Sequence, residues 1–151
     1  MVLATLCYVQ KGNNVLLINF TKEGMSKGKW NGVGGKTNPG ESPEEAVIRE
    51  VKEETGLTIR NAKLRGLLTF IGEDDKDWNV LVFTTKEFEG APFSETREGK
   101  LRWVAMDDVL KLNVWPDDHF WFPLLKQDKF FTGKLVFGKN KEIIEHSTVL
   151  H

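Results

Sequence analysis

A single cysteine, Cys7, stands in the 151 residues, which excludes an intramolecular disulfide and a multi-cysteine zinc site. Its apolar neighbours Leu6 and Tyr8 mark an ordinary buried thiol, and a reducing, cytoplasmic compartment is the expectation. There is no excess of either charge. Lys and Arg number 21 against 22 Asp and Glu, a formal net charge of -1, so no global basic field draws the chain onto a nucleic-acid polymer and phosphate recognition has to be local. A long hydrophobic run is also missing. The apolar opening Met1 to Val9 is interrupted at Lys11, far short of a membrane span, and carries neither a basic n-region nor a cleavage site. No membrane association is expected, and the opening reads as a first strand. The three histidines, His119, His146 and His151, lack a metal-ligand spacing. Repeats, low-complexity tracts and linkers are absent. With 40% apolar residues, a chain of 151 residues fits one domain over 1–151 with a single core, and a monomer is expected.

Apolar, β-rich runs at 2–10 and 14–20 flank the turn-like Lys11-Gly12-Asn13 and predict a hairpin. Residues 21–40 are rich in glycine and poor in large apolar side chains except Trp30 and Val33, which predicts loop with one short strand. A helix then begins: Ser42 is the N-cap, Pro43 suits the first helical position, Glu45 completes a Ser-x-x-Glu capping box and Gly56 ends the run. Strands are predicted at 62–71 and 78–86 around the acidic turn Glu73-Asp74-Asp75-Lys76-Asp77, and again at 100–104. A second helical stretch is expected between Pro116 and Lys129, with Pro123 set against its regularity, before a terminal hairpin over 133–138 and 141–149. The sum is an α+β fold, an α/β/α sandwich of mixed sheet with two main helices.

The stretch from Gly35 to Leu57 is the most informative. Gly35 is followed after five residues by Glu41, and after seven more by Arg49-Glu50-Val51-Lys52-Glu53-Glu54-Thr55-Gly56-Leu57. On a helix, positions three and four apart share a face, so Glu50, Glu53 and Glu54 present three carboxylates within about one turn. Such neighbours cost a few tenths of a kcal/mol per pair, roughly, and a hard divalent cation turns that cost into a gain, with substrate phosphates completing its shell. Arg49 precedes Glu50 and stands four residues before Glu53, placed to orient a carboxylate. Gly34, Gly35 and Gly40 let the loop backbone approach metal or phosphate, while Val47, Ile48 and Val51 supply an apolar flank for docking on the sheet. The bland alternative is a solvated, glutamate-rich helix; the glycines, Glu41, the Arg-Glu step and Gly56 at fixed spacings argue against it.

This pattern resembles the Nudix hydrolase signature at every defined position. The resemblance implies a sheet-helix sandwich over the whole chain and hydrolysis of a nucleoside diphosphate linked to another group. It implies Mg²⁺, with Mn²⁺ as a substitute, held by Glu50, Glu53 and Glu54 and joined by the backbone of Gly35. Glu53 and Glu98 are the candidates for the catalytic base, and Glu98 also for reaching the metal from another loop. Outside the motif, Gly28-Lys29-Trp30-Asn31-Gly32-Val33-Gly34-Gly35-Lys36 and Trp115-Pro116-Asp117-Asp118-His119-Phe120-Trp121-Phe122-Pro123-Leu124-Leu125 resemble the MutT-homologue branch, which removes oxidised purine nucleoside triphosphates such as 8-oxo-dGTP. That likeness implies that Asn31, Asp117 and Asp118 meet the base edge, that Trp115 stacks on its ring, and that Thr5, Trp121 and Phe137 help line the pocket. Met25, Leu68 and Trp78 fall around that pocket, and Thr21 stands where a lysine occurs in the branch.

The residue types suit the task by themselves. Guanine-type bases offer N1-H and an amine as neighbouring donors to a carboxylate, an indole is a stacking platform worth about 1–3 kcal/mol per base, and two adjacent carboxylates in a dry pocket share a proton. Read without the likeness, Trp115 and Trp121 are core aromatics and Asp117-Asp118 a helix cap. Other Nudix substrates, such as ADP-ribose or a dinucleoside polyphosphate, keep the same metal site. A non-catalytic nucleotide-sensing module is the reading from another class; such modules often lose motif glutamates, and none is missing here.

Overall fold

The computed structural model describes residues 1–72, 74 and 76–151. Eleven strands are present among them: β1 (Val2–Lys11), β2 (Asn14–Phe20), β3 (Trp30–Asn31), β4 (Val33–Lys36), β5 (Thr58–Arg60), β6 (Lys63–Ile71), β7 (Trp78–Thr85), β8 (Glu87–Glu89), β9 (Gly99–Ala105), β10 (Phe131–Phe137) and β11 (Ile143–Leu150). The helices are α1 (Pro43–Thr55) and the single turn α2 (Asp118–Trp121), with 3₁₀ turns at Met106–Lys111 and Phe122–Lys126. Of the expected acidic turn, Glu73 and Asp75 lie outside the described residues.

β1 organises the sheet. Val2 to Val9 pair in parallel with β7, Ala4 to Cys7 pair antiparallel with β4, and the end of β1 turns through Gln10 and Lys11 into the hairpin with β2. β6 joins β7 antiparallel and β10 in parallel, and β11 closes the edge. The sheet is therefore mixed, as expected. Alternation along β1 divides the core: Leu6 and Tyr8 join Leu68, Trp121, Phe122 and Phe131 on one face, while Cys7 and Val9 join Val47, Val51 and Phe83 under α1 on the other. Burial pushes the Cys7 thiol up to about 12, consistent with an inert core residue.

α1 forms where the local chemistry predicts. Ser42 accepts from the Glu45 amide at 3.1 Å, Glu45 accepts from the Ser42 amide at 3.0 Å, and Gly56 ends the helix at φ 82°, in the left-handed region. The helix docks through Ala46, Val47, Val51 and Thr55. Ile48, expected on the docking flank, is instead 42% exposed, because the buried stripe is centred on positions 46, 47, 50 and 51 and position 48 falls beyond its outer edge. The helix expected between Pro116 and Lys129 is broken into α2 and a 3₁₀ turn. Pro123 has no amide hydrogen to bond the carbonyl of His119, so α-geometry stops after one turn.

Candidate active site

A cleft of about 480 Å³ opens between the first half of β1, the β3-β4 segment, the C-terminal end of α1 and the Trp115–Trp121 segment. Two chemically different poles lie in it.

The acidic pole begins with a close approach of β4 to α1. A Cβ on Gly35 would stand 2.7 Å from the carboxylate of Glu50, so only glycine lets this backbone lie against that side chain. Glu54 and Glu98 line the cleft beside Gly35. The Glu54 carboxyl is held above the usual carboxylate range, by burial first and then by the charges of Glu50, Glu98 and Glu53, with Arg97 opposing. Arg49 sets the directions of this group: Nε and Nη2 donate to the two oxygens of Glu41 at 2.7 and 2.9 Å, while Nη1 donates to Glu50 at 2.8 Å and Glu53 at 3.2 Å. The forked bond to Glu41 keeps that carboxyl below its ordinary range. Glu98 comes from the loop before β9, within 3.6 Å of Lys22. Among the described residues no three carboxylates are already closed into one metal cage. The donor set is all oxygen, four carboxylates and a backbone, and Glu54 carries the electrostatic cost of their convergence; that chemistry fits a hard divalent cation.

The opposite pole is built from Asn31, Trp115, Asp117 and Asp118, with Thr5 and Trp121 between and beneath them. Asp117 and Asp118 are each only 4% exposed. Burial raises both above the ordinary carboxylate value; Asp118 is raised further by the charge of Asp117 and by donating a hydrogen bond to it, against the opposing charge of Lys29. Both shifts favour a proton kept within the pair, and the larger push is on Asp118. The side chain of Asp117 makes no cap bond to α2; it accepts from Trp121 Nε1 at 2.8 Å. Asn31 is fixed likewise: its Oδ1 accepts from the Gly32 amide at 2.9 Å and from the Tyr8 hydroxyl at 3.3 Å. Its Nδ2 is thereby left to donate elsewhere. Thr5 Oγ1 is buried without a hydrogen-bond partner among the described residues, on the wall of the cleft, and an orphan of that kind marks a place for a ligand atom. Lys29 Nζ lies 5.3 Å from the Trp115 ring centre, over its face.

Thus Thr5, Asn31, Gly35, Glu54, Glu98, Trp115, Asp117, Asp118 and Trp121 meet on one cleft, and Met25 and Trp78 stand on its wall as well. Phe137 does not reach the wall; it packs edge-on against Trp115 at 6.5 Å and supports the indole from behind. Leu68 is a fully buried core residue instead of a pocket residue, because its position on β6 points into the aromatic cluster. Arg49, Glu50 and Glu53 are not on the wall of this cleft; they are held together through Arg49 Nη1, with Glu53 exposed. Sequence reasoning missed three contributors. Tyr8, the chain's one tyrosine, was visible only as an apolar strand position; Glu41 gave its spacing but not its partner; Lys29 lay in the quoted segment without a signal of its stacking.

Comparison with known proteins gives the family and the fold. The family described as NUDIX domain matches residues 2–125. The oxidized purine nucleoside triphosphate hydrolases of Danio rerio and Mus musculus are 39% and 35% identical to this chain, covering 95% and 96% of it and 92% of each relative. A crystal structure of a mutator MutT protein from Bacillus halodurans superposes with a TM-score of 0.88 at 31% identity, over 98% of this chain and 97% of that one. Sequence motif, sheet topology and an acidic cleft at the end of α1 converge on one assignment: the chain belongs to the Nudix hydrolase family.

Proposed function

We propose that this chain hydrolyses oxidised purine nucleoside triphosphates of the 8-oxo-dGTP type to the nucleoside monophosphate and pyrophosphate, acting as a monomer. The observation that carries the reading is the pair of adjacent buried carboxyls, Asp117 and Asp118, facing the same cleft as Glu54 and Glu98. One pole offers an acceptor and a donor side by side to a base edge, with Asn31 Nδ2 and the orphaned Thr5 hydroxyl beside them. Trp115, backed by Phe137, gives the ring a platform. The relatives named as oxidised purine nucleoside triphosphate hydrolases support the same substrate class.

Glu50, Glu53, Glu54 and Glu98, with the backbone of Gly35, hold Mg²⁺ in this reading, and Mn²⁺ substitutes. When bound, the cation offsets phosphate charge and makes water more acidic. Arg49 keeps the carboxylates of Glu50 and Glu53 directed while Glu41 neutralises it from behind. Glu53 or Glu98 accepts the proton of the attacking water: Glu53 is close to Arg49, and Glu98 faces the cleft directly. The decisive experiment incubates the chain with 8-oxo-dGTP and Mg²⁺, with and without chelator, and identifies the products. Nucleoside monophosphate and pyrophosphate released only without chelator support the reading. No turnover of 8-oxo-dGTP beside rapid turnover of ADP-ribose or a dinucleoside polyphosphate assigns another Nudix substrate, and tight binding without turnover of any of them assigns a sensing module.

A further inference from the structure

A second cavity, of about 630 Å³, opens at the other end of the same three strands. The catalytic cleft takes the start of β1, the start of β7 and the end of β6, at Ala4–Leu6, Trp78 and Phe70. The second cavity takes the end of β1, the end of β7 and the start of β6, at Gln10, Thr84, Thr85, Lys63 and Arg65, and no described residue lines both. Its charge is unlike that of the molecule: among the described residues, Lys63, Arg65, Lys86 and Lys126 face it against one carboxylate, Asp128, in a chain whose net charge is -1.

Arg65 forms its floor. The β6-β7 register shifts between Leu64 and Gly66, so Arg65 is the extra residue of a bulge and opposes no partner residue. The bulge buries the side chain to 8% exposure. Its guanidinium donates to Thr84 Oγ1 at 3.2 Å, to the Leu125 carbonyl at 3.0 Å and to the Gln127 carbonyl. All of these acceptors are neutral. A buried cation normally faces an anion, and here the charge is satisfied in hydrogen bonds but not in sign. Asp128, at the rim, feels Arg65 but is exposed and paired with Lys63; Lys126 is paired with exposed Asp107 at 2.7 Å. Exposed surface pairs of this kind are weak and open readily to a stronger anion. Lys86 is exposed and has no partner among the described residues.

We propose that this cavity is a binding site for a phosphate-type oxyanion carrying two or more negative charges, separate from the hydrolytic cleft and independent of the substrate assigned there. Arg65 supplies the fixed buried charge. Lys86 and the lysines released from Asp128 and Asp107 close over the anion, and the side-chain amides of Asn13 and Asn14 add neutral donors at the rim.

The test uses the full chain, metal-free in chelator, with backbone amide shifts followed at constant ionic strength. Inorganic pyrophosphate and dGMP are titrated separately, the first a bare anion and the second a phosphate carried on a nucleoside. Saturable shifts at Asn13, Lys86 and Gln127 with either probe support the site, and the probe that saturates identifies which form it accepts. Lys86→Glu should weaken that binding at least about tenfold and leave metal-dependent nucleotide hydrolysis unchanged. Shifts that never saturate, shifts confined to Gly35, Glu54 and Glu98, or saturation that survives Lys86→Glu unaltered would overturn the proposal. None of these outcomes depends on which nucleotide the cleft hydrolyses.

Discussion

The indole Nε1 of Trp121 donates to Oδ2 of Asp117 at 2.8 Å inside the core, four residues along the same chain segment. This bond favours the ionised form of Asp117 and so leaves the shared proton on Asp118. Trp121→Phe keeps a ring against Tyr8, Phe122 and Phe131 but removes the donor. A hydrogen bond to a charged group is worth about 1.5–3 kcal/mol, so kcat/KM on an oxidised purine triphosphate should fall at least about tenfold. The Asp117 pKa should rise with the donor gone, moving the acid limb of the profile to higher pH. A variant with parental rate and parental pH profile would remove Trp121 from proton placement.

Stability should report the same pair. Both carboxyls are raised in the folded chain above the ordinary value of 3.8, so their contribution is fully present below that value and is lost as pH rises through the folded values. Asp118→Asn is neutral throughout. Its Tm relative to the parent should therefore increase as pH is raised from just above 3.8, while its kcat/KM falls because an amide cannot share a proton. Thermal unfolding across that range checks the sign, and a Tm difference that ignores pH would contradict the assignment.

At the acidic pole, Glu53→Gln or Glu54→Gln should lower turnover at least about a hundredfold, a loss of roughly 2.7 kcal/mol in transition-state stabilisation. Glu98→Gln separates the two roles given to Glu98: a loss of kcat at an unchanged metal requirement assigns it the proton alone, and a rise in the metal concentration needed assigns it to the cation. Because the Glu54 pKa is raised, protonation begins above the ordinary carboxylate range as pH falls. The half-saturating Mg²⁺ concentration should climb over that interval, measured from initial rates at fixed substrate.

Bond choice is open to a direct measurement. By the likeness to the MutT group, water attacks the β-phosphorus, and hydrolysis in ¹⁸O-water should put the label in pyrophosphate. Label in the nucleoside monophosphate alone would place the attack at the α-phosphorus.

Much of this site could be read from residues 31–57 because its rules are local. Ser42, Glu45 and Gly56 each act within one helical turn, and Glu50, Glu53 and Glu54 share a helix side by periodicity alone. The fold was less evident where tertiary packing overrides local pattern. Strands β5 and β8 are three residues each, too short for an alternation signal, and the proline in the Phe122–Lys126 turn reshaped an otherwise helical pattern. The base pole is non-local: Tyr8 and Asn31 are 23 residues apart and Lys29 and Asn113 are 84 apart, so only the folded sheet shows that they meet. The Asp117-Asp118 pair and its shared proton were expected from the sequence, but the asymmetry that favours the proton on Asp118 comes from burial and from the Trp121 bond to Asp117.

The most direct test of the account sets 8-oxo-dGTP against dGTP in one mixture with Mg²⁺ and follows the consumption of each by the parent, Trp115→Ala, Asp117→Asn and Asp118→Asn. The parent should prefer 8-oxo-dGTP in kcat/KM by at least about tenfold, equivalent to about 1.4 kcal/mol, because oxidation turns N7 from an acceptor into a donor that the pocket can pair. Each variant should lose rate and narrow the preference while still requiring the metal. Equal consumption of the two nucleotides by the parent, or parental rates and preference in all three variants, would contradict the account of the cleft as an oxidised-purine site.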